Sequence, residues 1–571
     1  MYIKRIIAMI LVLAVMLSMF LFSCVTDTEK NNDNGDNTDN SDKNDNNENN
    51  SDAEETTGTT VENTTEAPTE PEPPFEFTYD FSQKTTTLPT PTAQKLPSTW
   101  RGFNLLNMFM KGNDDRPFDE EEFKMMADWG FNFVRVPMDY RLWIIDNDWN
   151  KINESVLKRV DKAVEYGIKY DIHICLNFHR APGYTVASPA ETTDLWTEAE
   201  PQEAFASMWA EFARRYKNVP NEYLSFNLVN EPGNMEEDLY VAVVEKTANA
   251  IWEQDPDRLI IADAINWCLT PSYKIKDIGI AQATRGYYPN TLSHYRAEWM
   301  EGSEDYLLPA WPIVLIPKFL TAKGKTDVPH GVYNIEHDFD ESYNLDINVG
   351  IVSNEAKLIV KADGNEIYNK MFKSGKGEGE WTEEVYVEAW DVYQNIYDKD
   401  YRVEIPAGTK LLAIEVTDGD WMTVNDMKFT PVSDGNGKTF SLTPTTPDWG
   451  LEIPAVKIDA DGVVIMEGDD VHDGEWLKET YFKQWEDLIN SGGGAIVGEW
   501  GSYNKTPHDV TLRWMKDNLE NFKDIGIGWA LWNFNASFGI INSGREDVEY
   551  EDFNGYDLDR EMLDLLLEYM D

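Results

Sequence analysis

Leu224-Ser225-Phe226-Asn227-Leu228-Val229-Asn230-Glu231-Pro232 is an apolar run that stops on a carboxylate and a proline. Runs that are apolar at consecutive positions, instead of alternating, suit parallel strands buried on both faces. Working outward, seven more segments read the same way. Gly102–Asn107, Asn132–Pro137 and His173–His179 precede it; Leu259–Asn266, Gly279–Tyr287, Ala495–Glu499 and Gly528–Trp532 follow. Helical patterns lie between. Asn153 is placed to cap a helix with Val156, Leu157, Val160 and Val164 on one stripe, ended by Gly167. A second opens at Pro201 with Phe205, Met208, Trp209 and Phe212, and a third carries Leu239, Ala242, Val243 and Ile251 ahead of Asp255-Pro256. The last, Asp557 to Met570, closes the chain. Eight β–α units in a row predict an α/β fold, a (β/α)8 TIM barrel. A doubly wound sheet is the weaker reading, because no glycine-rich phosphate loop follows the first strand.

One gap breaks the rhythm. The sixth strand ends near Tyr287 and the seventh starts near Ala495. A β–α unit takes ~30–40 residues, so about 150 are inserted there. Within the gap, 332–432 looks all-β: Leu358–Val360, Val385–Val387, Val403–Ile405 and Leu412–Val416 are short runs separated by Asp-Gly and Ala-Gly turns. A β-sandwich is expected, serving either as a carbohydrate-binding module or as a structural insert. The boundaries then read as 1–24, an export segment; 25–75, a linker; 76–318, the first part of the barrel; 319–440, the insert; and 441–571, the rest of the barrel.

Charge narrows the partners. In 571 residues, 49 Lys and Arg face 103 Asp and Glu, a net of −54. Such a chain is repelled by phosphate backbones and by anionic lipid, which excludes nucleic acid as a partner. A neutral polymer remains, and carbohydrate is the obvious one. The 20 Trp, 26 Tyr and 25 Phe agree, since sugar rings stack their C–H faces on aromatic planes, although at least half must fill the core. The three cysteines are too scattered for a disulfide framework or a zinc site, and Cys175 and Cys268 read as small buried hydrophobes. The seven histidines form no HExxH motif. No metal or other cofactor is implied, and a monomer is expected.

At the N-terminus, Lys4 and Arg5 precede an apolar run from Ile6 to Phe22, which reads as an export signal. Its end, Leu21-Phe22-Ser23-Cys24, resembles the bacterial lipobox, which implies cleavage before Cys24 and a lipid on its thiol. A plain signal peptide or a single membrane anchor is the alternative; each puts the mature protein outside the cytoplasm. Half of Asn31 to Asn50 is asparagine, and Ala67 to Pro74 is rich in proline. This acidic stretch cannot bury enough surface to fold and reads as a solvated tether.

In a parallel barrel the chemistry sits where strands end, at the C-terminal face. The fourth strand ends on Asn230-Glu231-Pro232 and the seventh on Glu499-Trp500. Three positions apart in an eight-strand ring, the two glutamates face one pocket. Carboxylates ~5 Å apart serve a retaining glycosidase as nucleophile and acid/base, whereas ~6.5–9.5 Å means inversion. Such a pair also drives the two pKa values apart, so that one stays protonated near neutrality. Other strand ends offer support. Arg135 lies inside an apolar strand and needs a carboxylate partner. His179, Tyr287 and Trp532 end the third, sixth and eighth strands. Each alone could be a satisfied core residue; together they would form a sugar cleft with an aromatic floor.

The ordered set Arg135, His179, Asn230-Glu231-Pro232, Tyr287, Glu499 and Trp532 resembles glycoside hydrolase family five of clan A, the cellulase and β-mannanase family, over about 97–300 and 450–571. The resemblance implies that Glu231 is the acid/base and Glu499 the nucleophile. It implies that Asn230 contacts the 2-hydroxyl, that Tyr287 hydrogen-bonds the nucleophile, and that Arg135 keeps it ionised. Trp532 would stack on the sugar at the cleavage point, with His179 shaping the same subsite, and His294 matches a further family position. There is one departure: the family commonly has a histidine two residues before that tyrosine, and this sequence has Arg285. A cation there favours ionised carboxylates and bears on substrate preference. The expected protein is therefore a retaining glycoside hydrolase acting on β-1,4-glucan. β-Mannan, xyloglucan, β-1,3-glucan or a glycolipid are alternative substrates. Two non-catalytic alternatives are a surface carbohydrate-binding protein and an adhesion protein working through the insert.

Overall fold

The computed structural model describes residues 75–432, 437–460, 462–465 and 471–570. The export segment, with Cys24, and the tether up to residue 74 lie outside the described residues.

All eight expected strands form: β1 (Arg101–Asn104), β2 (Phe133–Asp139), β3 (His173–Ala181), β4 (Leu224–Val229), β5 (Ile260–Asp263), β6 (Ala281–Gly286), β7 (Ala495–Trp500) and β8 (Gly528–Leu531). Every residue of these strands is buried, which is why they read as unbroken apolar runs. They pair in parallel in the order β2-β1-β8-β7-β6-β5-β4-β3, and β3 returns to β2, so the ring is closed. Each strand is followed by at least one helix, and those that cover the ring are α1 (Glu120–Asp128), α2 (Glu154–Tyr170), α3 (Ala199–Tyr216), α4 (Glu237–Gln254), the short α5 (Tyr273–Asp277), α6 (Lys483–Asn490), α7 (His508–Ile525) and α8 (Arg560–Glu568).

Local chemistry explains where the boundaries moved. Asn153 caps α2 as expected, accepting from the Ser155 N–H, but Gly167 does not end the helix. A Cβ there would lie 2.4 Å from Cγ1 of Ile174, so the glycine lets α2 lie close against β3. The stop comes at Asp171, in the left-handed region at φ 55°. In α4 the inward stripe is Tyr240, Val243, Val244, Ala248 and Ile251, and Leu239 faces solvent. Tyr240 takes the inner place because its hydroxyl donates to the Asp263 carbonyl. Strand β5 stops at Asp263 instead of running to Asn266, because Asn266, Trp267 and Cys268 all adopt positive φ and turn the chain away. Cys175 and Cys268 are buried.

The all-β insert leaves the barrel after β6. Its entry and exit, Ile313–Val314 and Val471–His472, pair antiparallel. Beyond this neck, ten strands make one sheet built on two long strands, Tyr343–Ala362 and Leu411–Pro431. Register shifts between Asn348 and Leu358 divide their pairing. Up to Ser353, Tyr343–Ala362 pairs with Val392–Ile405; from Glu355 on, with Asn365–Lys373. The inward residues converge on one apolar cluster that includes Leu345, Ile347, Val360, Ile414 and Phe429. The runs that read as short separate strands are thus pieces of long bent ones. The sheet also takes in Val456–Ile458 and Val464–Ile465, beyond the expected limit at 440, through strands too short to carry an alternating pattern.

Candidate active site

The C-terminal ends of the barrel strands open on a cleft of ≈ 730 Å³ lined by Glu231, Glu499, His179, Tyr287, His294 and Trp532, among others. All six were expected there from the sequence; Arg135 and Asn230 lie just beneath.

Glu231 follows β4 directly, in the left-handed region at φ 44°. Two bonds hold that backbone: its N–H donates to Asp263 Oδ2 at 2.9 Å, and its carbonyl accepts from the Tyr184 hydroxyl at 2.6 Å. Its Oε1 accepts from Arg285 Nε at 2.8 Å. Glu499, on β7, accepts on Oε1 from Arg135 Nη1 at 2.5 Å and lies 3.0 Å from Arg285 Nη2; the Tyr287 hydroxyl donates to its Oε2 at 3.2 Å. One planar guanidinium therefore reaches both glutamates, which keeps their carboxyl groups within about 8 Å of each other.

Arg135 does find the carboxylate partner its burial demanded. It also donates from Nε to Asn227 Oδ1 at 2.8 Å, from Nη1 to Asn104 Oδ1 at 3.0 Å and from Nη2 to Asn230 Oδ1 at 2.9 Å. Asn230 Oδ1 accepts a second bond, from Arg285 Nη2 at 2.9 Å. Its buried Nδ2 has no partner among the described residues, which leaves a donor just beneath the cleft.

A third carboxyl group was missed. Asp263 ends β5, fully buried, and accepts from Arg285 Nη2 at 2.5 Å and from Asn227 Nδ2 at 2.9 Å. The signal existed: Arg285 lies in an apolar strand just as Arg135 does, and two buried cations call for more acids than two glutamates that must also do chemistry. Phe109 was missed as well. It packs edge-on against His179 with ring centres 4.5 Å apart and against Trp532 at 5.4 Å, completing the aromatic floor. Trp299, exposed on the loop after β6, also lines the cleft.

The electrostatics separate the acids. Burial pushes the Glu231 carboxyl up to about 7; Arg285 pulls against this, and the Glu499 and Asp263 charges add to it. Burial also pushes Asp263 up, but Arg285, Arg135 and the hydrogen bonds from Glu231 N–H and Asn227 overcome that and hold it below the usual carboxylate range. Burial lowers His179 far below the ordinary imidazole value, with Arg135 and Arg285 adding to the effect, and lowers His294 to about 4. Both rings are thus neutral near pH 7. Burial, with the charge of Glu499, holds Tyr287 as a neutral phenol able to donate.

Residues 91–293 match the family described as Cellulase (glycosyl hydrolase family 5). This stretch of the barrel is similar to a glycosyl hydrolase family 5 domain. Endoglucanase C of Acetivibrio thermocellus is 28% identical over 203 residues, which is 35% of this chain and 59% of that enzyme. Cellodextrinase A of Ruminococcus flavefaciens is 34% identical over 112 residues, 20% of this chain and 32% of that one. The chain thus spans less than two thirds of the length of these curated relatives. A crystal structure described as that of a glycoside hydrolase superposes with a TM-score of 0.52 at 26% identity, covering 82% of this chain and 98% of the other.

Proposed function

We propose that this barrel is a family 5 glycoside hydrolase of the retaining kind, acting on β-1,4-linked glucan. The observation that carries the reading is Arg285 bonding Glu231 and Glu499 together at the mouth of the barrel. Retaining enzymes set their two carboxyl groups about 5–5.5 Å apart and inverting ones about 6.5–9.5 Å apart; the shared guanidinium admits either spacing, and retention is what the resemblance to family five implies. The carboxylate of Glu499 attacks the anomeric carbon, while the carboxylic acid of Glu231 gives its proton to the leaving glycosidic oxygen. Glu231, now ionised, takes a proton from water, and that water opens the glycosyl-enzyme ester and restores Glu499. Tyr287 and Arg135 hold Glu499 for attack. The unpaired amide N–H of Asn230 is available to a sugar hydroxyl, and Trp532 offers its face to the ring at the cleavage point. β-1,4-Glucan is favoured over β-mannan because endoglucanases recur among the relatives.

The test is release of reducing sugar from a panel of β-glucans and mannans across pH. The general acid must be protonated, so kcat/KM is expected to fall as pH rises through about 7, where Glu231 loses its proton. A rate flat from pH 6 to 9, or no release from any β-glycan, contradicts the reading.

We further propose that the protein works outside the cytoplasm, tethered through Cys24 by the acidic stretch. Cys24→Ser is expected to abolish incorporation of labelled palmitate in a bacterial host; undiminished labelling would rule Cys24 out as the lipid site.

A further inference from the structure

The strand ends hold three carboxyl groups, Glu231, Asp263 and Glu499, against two guanidinium groups, Arg135 and Arg285. Fully ionised, the cluster carries one negative charge too many for a buried site, and one proton brings it to neutrality. The hydrogen bonds say where that proton goes. Asp263 accepts from Arg285, from the Glu231 N–H and from Asn227, and Arg135 Nη2 stands 3.7 Å away. Glu499 faces two guanidinium groups and a phenol. Glu231 accepts one charged donor only, on Oε1 from Arg285, and its Oε2 has no protein hydrogen bond among the described residues.

We propose that Arg285, anchored by Asp263, is a positioning residue that reserves Glu231 Oε1 as an acceptor, so that the transferable proton rides on Oε2, the oxygen left for the leaving group. The proposal rests on the catalytic reading of Glu231 given above. Arg285 is well braced for this: Nε holds Glu231, while Nη2 bonds Asp263 and Asn230 and faces Glu499. A neutral imidazole, the group the family commonly carries here, has no third nitrogen with which to bond so many partners at once.

The groups facing Glu231 are Arg285 and Tyr287 at the end of β6, Glu499 on β7, Asp263 and Cys268 at and after β5, Arg135 on β2, and Tyr184 after β3. Of these, Arg285 is the cation bonded to the Glu231 carboxyl. Losing it removes a stabiliser of the ionised form, so the alkaline limb of the pH profile moves to higher pH.

The experiment compares kcat/KM of wild type, Arg285→Lys and Asp263→Asn on a cello-oligosaccharide and on a 2,4-dinitrophenyl β-cellobioside. The lysine keeps the charge but cannot fork between Glu231, Asp263 and Glu499. A dinitrophenolate leaves without a proton, whereas a sugar hydroxyl needs one. Both variants are therefore expected to lose ~100-fold on the oligosaccharide and less than about 5-fold on the dinitrophenyl substrate, with the alkaline limb lowered for Asp263→Asn, which removes an acid whose charge helps Glu231 keep its proton. Equal losses on both substrates in variants that keep the wild-type melting transition would overturn the positioning role. Failure of the wild type to cleave either substrate would overturn the hydrolase reading itself, so the two failures are told apart.

Discussion

Glu499→Gly is expected to lower kcat/KM on a cello-oligosaccharide by at least ~10⁴-fold while leaving binding of the oligosaccharide measurable. Glu499 is the only acid of the cluster placed to attack: Asp263 lies fully buried under Arg285, and Glu231 must keep its proton for the leaving group. The substitution also opens a space beside two guanidinium groups that have lost a partner, which favours entry of a small anion. Added azide is therefore expected to restore turnover on the dinitrophenyl β-cellobioside. It would attack from the side Glu499 occupied and yield the α-glycosyl azide. A further consequence follows from charge. The Glu499 carboxylate is one of the groups raising the Glu231 pKa. In the variant two acids face two arginines, so Glu231 is expected to titrate lower, which NMR of the side-chain carboxyl carbon would read. No shift would mean that the two groups are not coupled.

Glu231→Ala is the second large effect, with a different signature. The loss in kcat/KM should follow the leaving group: ~10²–10⁴-fold on oligosaccharides and small on the dinitrophenyl substrate. On that activated substrate the glycosyl-enzyme should accumulate, because no base remains to activate water. Azide then attacks from the face that Glu231 occupied, and the product is the β-glycosyl azide. The opposite anomers from the two variants assign the two roles independently. The same anomer from both, or the reverse assignment, would contradict the mechanism.

Much of this was legible in the sequence for one physical reason. Parallel strands covered on both faces must be apolar throughout, so the eight barrel strands stood out, and a glutamate ending such a strand was conspicuous. Glu231, Glu499, Arg135, Tyr287 and Trp532 all emerged that way, and the structure gathers them at one end of the ring. Asp263 did not emerge, because its strand read as running on to Asn266, which put the aspartate in mid-strand. The turn that ends β5 there rests on three successive left-handed residues, none of them glycine, and no residue preference announces it. Arg285 was noticed only as a departure. Its real significance depends on which strands are neighbours: β5, β6 and β7 are adjacent, so one side chain on β6 can reach acids on both sides. The insert was readable as all-β but not as one sheet on two long bent strands, because register shifts interrupt the alternation that would have marked those strands as continuous.

The central claim is that Glu499 becomes covalently bound to the sugar. Incubation with 2,4-dinitrophenyl 2-deoxy-2-fluoro-β-cellobioside, in which fluorine slows release of the intermediate, followed by mass spectrometry of the intact protein and its peptides, tests this most directly. The expected result is a gain of one fluorocellobiosyl group, mapped to Glu499. An adduct on another residue, or none in a preparation that hydrolyses the non-fluorinated substrate, would contradict it.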